Sequence, residues 1–170
     1  MNKKEKIKKF LKELVVYGIL ALAISEVVNY FRAPKITSNK IANISGVTLN
    51  KRDVKEFLDK NSTLIIHFWG IWCPICRQEA SNINYLAKNY NLLTIAVSSG
   101  EDSKIRAWLK EHNLNYPVLN DIDGSLAKEF KIKVFPTTLF FNSKGELKSV
   151  STGYTTTIGL IIRAKLAKYF

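Results

Sequence analysis

Two cysteines and two histidines are all the thiol and imidazole groups that this 170-residue chain offers. A tetrahedral zinc centre needs four ligands in paired spacings, and Cys73, Cys76, His67 and His112 lack them, so no metal is expected. A disulfide framework is excluded too, because one bridge closing a two-residue loop constrains little of the unfolded chain. Acidic residues are also scarce, 14 against 26 Lys and Arg, for a net charge of +12. Six Lys stand against Glu5 and Glu13 in the first 13 residues, and 20 Lys/Arg against 11 Asp/Glu from residue 32 onward. The folded part is therefore basic in its own right. Such a charge suits nucleic acid, anionic lipid or acidic proteins and specifies none of them. No RNA-binding signature and no Lys/Arg run occurs outside the tail, so nucleic acid is not an expected partner. Repeats and low-complexity blocks are absent, and 46% hydrophobic content suffices for one core plus an appendage.

Charge is nearly missing from LVVYGILALAISEVVNYF, residues 14–31, where only Glu26 interrupts the run. At the helical rise this covers about 27 Å, enough for a hydrocarbon core. The preceding Lys cluster marks the cytoplasmic side, and Tyr30 and Phe31 fall at the opposite interface. A cleaved signal competes through Ala21 and Ala23, although only seven apolar residues precede that site. A surface helix fits less well, since Leu14 to Ile24 has no polar face beyond Tyr17. The organisation read from this is a cytoplasmic basic tail (1–13), a transmembrane anchor (14–31), a linker with Pro34 and Gly46 (32–46) and an external domain (47–170).

Within the domain, helical and extended patterns alternate. KRDVKEFLD (51–59) suggests a short helix, and TLIIHFW (63–69) a strand buried on both faces. A helix follows over 74–89, with Ile75, Ile83, Leu86 and Ala87 near helical spacing. A strand at 92–98, a helix at 102–112 capped by Asp102 or Ser103, a strand at 116–120 and a helix at 123–130 continue the alternation. TTLFFN and LKSVST around SKGE read as an antiparallel hairpin, and the chain closes on a helix. The expected class is α/β with a mixed central sheet flanked by helices.

HFWGIWCPICR (67–77) places both cysteines where the central strand gives way to a helix. Pro74 suits the first helical position, and the free N–H groups there favour a Cys73 thiolate. Cys76, three residues on, lies within bonding reach. The pair therefore reads as a redox-active dithiol, with Cys73 the exposed nucleophile and Cys76 the resolving thiol. A two-coordinate copper(I) carrier remains an alternative, since thiolates select that ion. A bland pair of core cysteines is the other.

FWGIWCPIC resembles the thioredoxin-superfamily motif FWAxWCxxC, and VFPTTLFF resembles its cis-proline strand. The segment between them is longer than thioredoxin's own and resembles the insertion of the TlpA-like branch. CPxC, SGED and NDxDG look closest to the suppressor-of-copper-sensitivity D group of membrane-anchored disulfide oxidoreductases. The likeness runs from Gly46 to Phe170. It implies a thioredoxin fold, a cis peptide before Pro136, and a substrate edge formed by Phe135 and Pro136 with Trp72, Pro74 and Ile75. It implies thiol:disulfide exchange with exported thiol or disulfide proteins, without a cofactor beyond the Cys73–Cys76 disulfide. The setting it implies is a monomer on the bacterial inner membrane, domain in the periplasm, acting as a reductant kept reduced by a membrane electron donor. An acceptor would replace the donor if electrons flow the other way.

The pattern departs from that family at three places. His67 stands where thioredoxins carry a buried Asp, and is read either as proton acceptor for Cys76 or as a core histidine bonded to a backbone carbonyl. Thr137 stands where cytochrome c maturation thioredoxins carry Glu, and Phe135 where smaller residues are usual. A thiol peroxidase is a further alternative, because TlpA-like domains resemble peroxiredoxins. Such a site needs Pro and Thr or Ser seven and three residues before its cysteine, and this chain has Ile66 and Gly70.

Overall fold

A computed structural model describes residues 3–34, 36, 41, 44–58 and 62–169. They form two compact units, Met1–Ala33 and Pro34–Phe170. The first contains one helix, α1 (Lys3–Arg32), long and apolar enough to cross a membrane by length and composition. Much of the expected linker, residues 35, 37–40, 42 and 43, lies outside the described residues. Its described part corrects the sequence reading. Ile41 and Ile44 are buried in the core, so the folded unit begins before residue 47.

The second unit is built on five strands, β1 (Leu64–Trp69), β2 (Asn91–Val97), β3 (Val118–Asp121), β4 (Thr137–Phe141) and β5 (Leu147–Thr152). Their order is β3-β2-β1-β4-β5. β2 pairs parallel with β1 and β3, while β4 pairs antiparallel with β1 and β5, which is the mixed sheet expected. All six residues of β1 are buried, as a strand with neighbours on both edges and layers on both faces requires.

Helices α2 (Pro74–Asn89), α3 (Asp102–Glu111), α4 (Ser125–Glu129) and α5 (Thr157–Tyr169) complete the unit. Alternation along β1 sends Ile65 and Trp69 into one apolar cluster with Ile83 and Leu86 of α2, Ile105 and Trp108 of α3, and Leu160 and Ala164 of α5. Ile66 and Phe68 enter the opposite cluster with Ile44, Phe57 and Phe130. Trp108, on the buried face of α3, packs on Trp69 with ring centroids 4.9 Å apart.

Two local expectations change. Of the stretch 51–59, residue 59 lies outside the described residues, and the described part yields a 3-10 turn, Val54–Phe57, with Asp53 accepting from the Lys55 amide. Glu101, not Asp102 or Ser103, is the N-cap of α3, and it makes no side-chain cap bond. The Asp102 carboxylate instead accepts from Asn120 Nδ2 on β3 at 2.9 Å.

Leu160 is wholly enclosed, whereas Ile162 two residues on faces outward. Leu160→Ala is expected to cost about 2–5 kcal/mol and Ile162→Ala less than about 0.5 kcal/mol, measured by urea unfolding.

Candidate active site

The strand-to-helix junction positions the cysteines. β1 ends at Trp69, Gly70 to Trp72 make the turn, and Pro74 opens α2 with Cys73 as its N-cap. Cys73 has extended backbone angles, and its Sγ accepts from the Cys76 amide at 3.1 Å. The sulfur thus occupies the place of a capping oxygen, at the positive end of the helix. Cys73 and Cys76 are joined by a disulfide. In this oxidised state Cys73 is only 5% exposed and Cys76 2%, so Cys73 is not the open sulfur expected from the sequence. What distinguishes it is its seat at the helix N-terminus.

The turn is held from β2 and the loop after it. Trp72 Nε1 donates to Val97 O at 3.0 Å, and Ile71 N donates to Ser99 Oγ at 3.2 Å. A Cβ on Gly70 would lie 2.5 Å from the Trp72 indole, so glycine is required there. Trp72 stands exposed beside Phe135, edge to face with centroids 5.2 Å apart. Pro74 and Ile75 are exposed as well; Ile75 therefore leaves the apolar face of α2 to which its spacing had assigned it. The Phe135–Pro136 peptide is cis. Among the described residues no hydrogen bond of the Phe135 backbone is found. Gly153 N donates to Pro136 O at 2.8 Å and fixes the far side of that segment.

Below the dithiol lies a buried polar pair that sequence reading half found. His67 shares the α2-facing side of β1, and its Nδ1 meets Thr138 Oγ1 at 2.9 Å, a side-chain hydroxyl where a backbone carbonyl was the expected partner. Glu79, one turn beyond Cys76, was missed. Its Oε1 accepts from Thr155 N at 2.7 Å, while Oε2 has no hydrogen-bond partner among the described residues and lies 4.0 Å from His67 Nδ1. The signal was present in the spacing, since Cys76, Glu79, Ile83 and Leu86 all fall on the buried face of α2. Burial pushes the Glu79 carboxyl up to about 8, partly offset by the Thr155 amide. Burial also lowers His67 to about 3. Both groups are therefore mainly neutral at pH 7, and their approach is not an ion pair. Among the described residues no cluster of three or more His, Cys, Asp or Glu could hold a metal.

These shifts give opposite stability slopes. Between about pH 3 and 4.5 the unfolded chain binds a proton on His67 that the folded one does not, so stability rises with pH. From 4.5 to 6.5 the folded protein also retains the Glu79 proton that the unfolded chain loses, and the two slopes cancel. From 6.5 to about 8 only Glu79 acts, and stability falls by up to about 1.4 kcal/mol per pH unit. Urea unfolding across this range should show that fall, and Glu79→Gln should remove it.

Comparison with known proteins fits this geometry. Residues 32–150 match the AhpC/TSA family. A thioredoxin-like protein of Haemophilus influenzae is 32% identical over 170 residues, covering 97% of this chain and 99% of the relative. The thiol-disulfide oxidoreductase ResA of Bacillus subtilis is 29% identical over 104 residues, 57% of this chain and 56% of ResA. The crystal structure of StoA from Bacillus subtilis superposes with a TM-score of 0.60 at 26% identity, over 71% of this chain and 94% of StoA. The sheet order, the dithiol at the head of α2 and the cis-proline just before β4 complete a thioredoxin fold, and the chain belongs to the thioredoxin-like AhpC/TSA family.

Proposed function

We propose that the chain is a thiol:disulfide oxidoreductase that exchanges disulfides with exported proteins through Cys73 and Cys76. In this reading α1 anchors it in a bacterial inner membrane with the folded unit in the periplasm, and it acts as a reductant. The observation that carries the proposal is the Cys73 sulfur, bonded to Cys76 and accepting an amide N–H at the start of α2. The names of two relatives, ResA and the sporulation thiol-disulfide oxidoreductase A of Bacillus subtilis, support it. The SGED and NDxDG stretches favour the suppressor-of-copper-sensitivity D branch.

In the reduced protein the Cys73 thiolate attacks one sulfur of a substrate disulfide. That S–S bond breaks, the other substrate sulfur leaves as a thiolate, and a mixed disulfide forms. The substrate strand pairs with the backbone of Phe135, flanked by Trp72, Pro74, Ile75 and Pro136. Cys76 then loses its proton and attacks the Cys73 sulfur, which closes the internal disulfide and releases the second substrate sulfur. Two electrons pass to the substrate, and a membrane electron donor restores them.

Proton transfer at Cys76 falls to Glu79. An imidazole held near 3 is a weak base at neutral pH, whereas a carboxyl near 8 exchanges protons readily there. His67 acts on the carboxyl's surroundings and not on the thiol. The peroxidase alternative loses ground, since Ile66 is fully buried and Gly70 has no side chain to hold peroxide.

Trapping with an alkylating agent in intact cells should find the pair mostly reduced. Cys76→Ser should accumulate mixed disulfides with exported proteins, and Cys73→Ser none. Equal trapping by both variants would sink the assigned polarity. Tight stoichiometric copper(I) binding without exchange against a glutathione buffer would favour the carrier. In rapid-quench kinetics Glu79→Gln should form mixed disulfides at the normal rate and resolve them about 10²-fold more slowly. His67→Gln should keep the rate and shift the pH midpoint. If instead His67→Gln slows resolution and Glu79→Gln does not, the proton passes through the imidazole.

A further inference from the structure

Helix α5 is apolar on two opposite sides. Leu160, Ala164 and Ala167 face the core. On the outside Ile158 is 71% exposed, Ile162 51%, Leu166 49% and Tyr169 76%. At i, i+4, i+8 and i+11 these four share one stripe along the whole helix. A helix covering a soluble domain ordinarily presents polar side chains there. The charged residues of α5 are Arg163, Lys165 and Lys168, with no acid among them. Lys165 and Lys168 are exposed beside the stripe. With Ala164 and Tyr169 they line a recess of about 590 Å³ shared with Ser62, Asn89 and Asn91, and no acidic side chain occurs among its described lining residues.

We propose that this outward face of α5 docks on an anionic membrane surface, with Ile158, Ile162, Leu166 and Tyr169 in the headgroup boundary and Lys165 and Lys168 on lipid phosphates. The pattern is that of an interfacial helix, an apolar strip with lysines beside it and an aromatic residue at the end. Charge decides the occupant. A second copy of the chain would bring the same lysines face to face, while an anionic bilayer neutralises them. The tether makes weak docking sufficient. From Arg32 to the buried Ile41 the chain reaches at most about 30 Å if fully extended, so the folded unit never leaves the vicinity of the bilayer. The proposal rests on α1 being an anchor. It adds an orientation: α5 begins next to Thr155, the residue bound to Glu79, so with α5 lying in the interface the active site stays close to the bilayer plane, within reach of a membrane-embedded electron donor.

The test uses the full chain in nanodiscs, one copy per disc, made of phosphatidylcholine alone or with phosphatidylglycerol. Amide hydrogen exchange of residues 157–169 is the readout. Exchange there should be about tenfold slower in the phosphatidylglycerol discs. Ile162→Ser/Leu166→Ser should abolish that protection and Lys165→Gln/Lys168→Gln should weaken it, with glutathione exchange by Cys73 and Cys76 unchanged in both. Equal exchange in the two discs, with the chain inserted, overturns the docking and leaves the anchor standing. Protection that appears only with two copies per disc overturns it in favour of self-association. A chain that does not enter the discs overturns anchor and docking together.

Discussion

Everything in the folded unit converges on one hydrogen bond, from the Cys76 amide to the Cys73 sulfur. For a sulfur to stand as the cap of a helix, a strand must end one short turn earlier and the helix must start without delay. β1 supplies the first condition because it is the middle strand, fixed by β2 on one side and β4 on the other. Pro74 supplies the second, with its backbone already set for a helix. Gly70 allows the indole of Trp72 to fold back over the turn, and the carbonyl of Val97 holds that indole in place. The sulfur is thus located by backbone geometry on every side.

The same helix carries a cost. A carboxyl on the buried face of α2 resists ionisation in apolar surroundings, and only the Thr155 amide compensates part of that. The apolar clusters on the two faces of the sheet are what tolerate it. Glu79 in turn ties the active-site helix to the loop after β5, and Gly153 in that loop bonds to Pro136. Dithiol, carboxyl and cis-proline therefore form one connected structure.

Where sequence and structure agree, the signals were local and redundant. α2 spans the expected residues because proline marks its start and the polar Asn89 its end, and β5 matches because turn residues bound it. The cysteine pair was legible since strand, junction and spacing pointed the same way. Other features were hidden for specific reasons. Glu79 sits in an apolar stripe, where a charged residue reads as facing solvent. Ile75 was assigned to the buried side by its spacing, yet its place in the first turn directs it outward. Ile41 and Ile44 are isolated apolar residues in a polar stretch, with no period to betray that they are core. The Asp102 carboxylate went to Asn120, a partner 18 positions away that no local rule reveals.

The ends of the sheet have a consequence for selectivity. A protein that recognises extended chains by backbone pairing is exposed to the same pairing wherever it ends in an open strand, with its own copies included. Here β3 has only four residues, and β5 carries an exposed Lys148 among Ser149, Ser151 and Thr152. Short length and a charged, hydroxyl-rich border discourage strand addition at both margins. In the proposed function, pairing with a partner's backbone is left to the interior segment at Phe135, away from both margins, so that recognition and aggregation are kept apart.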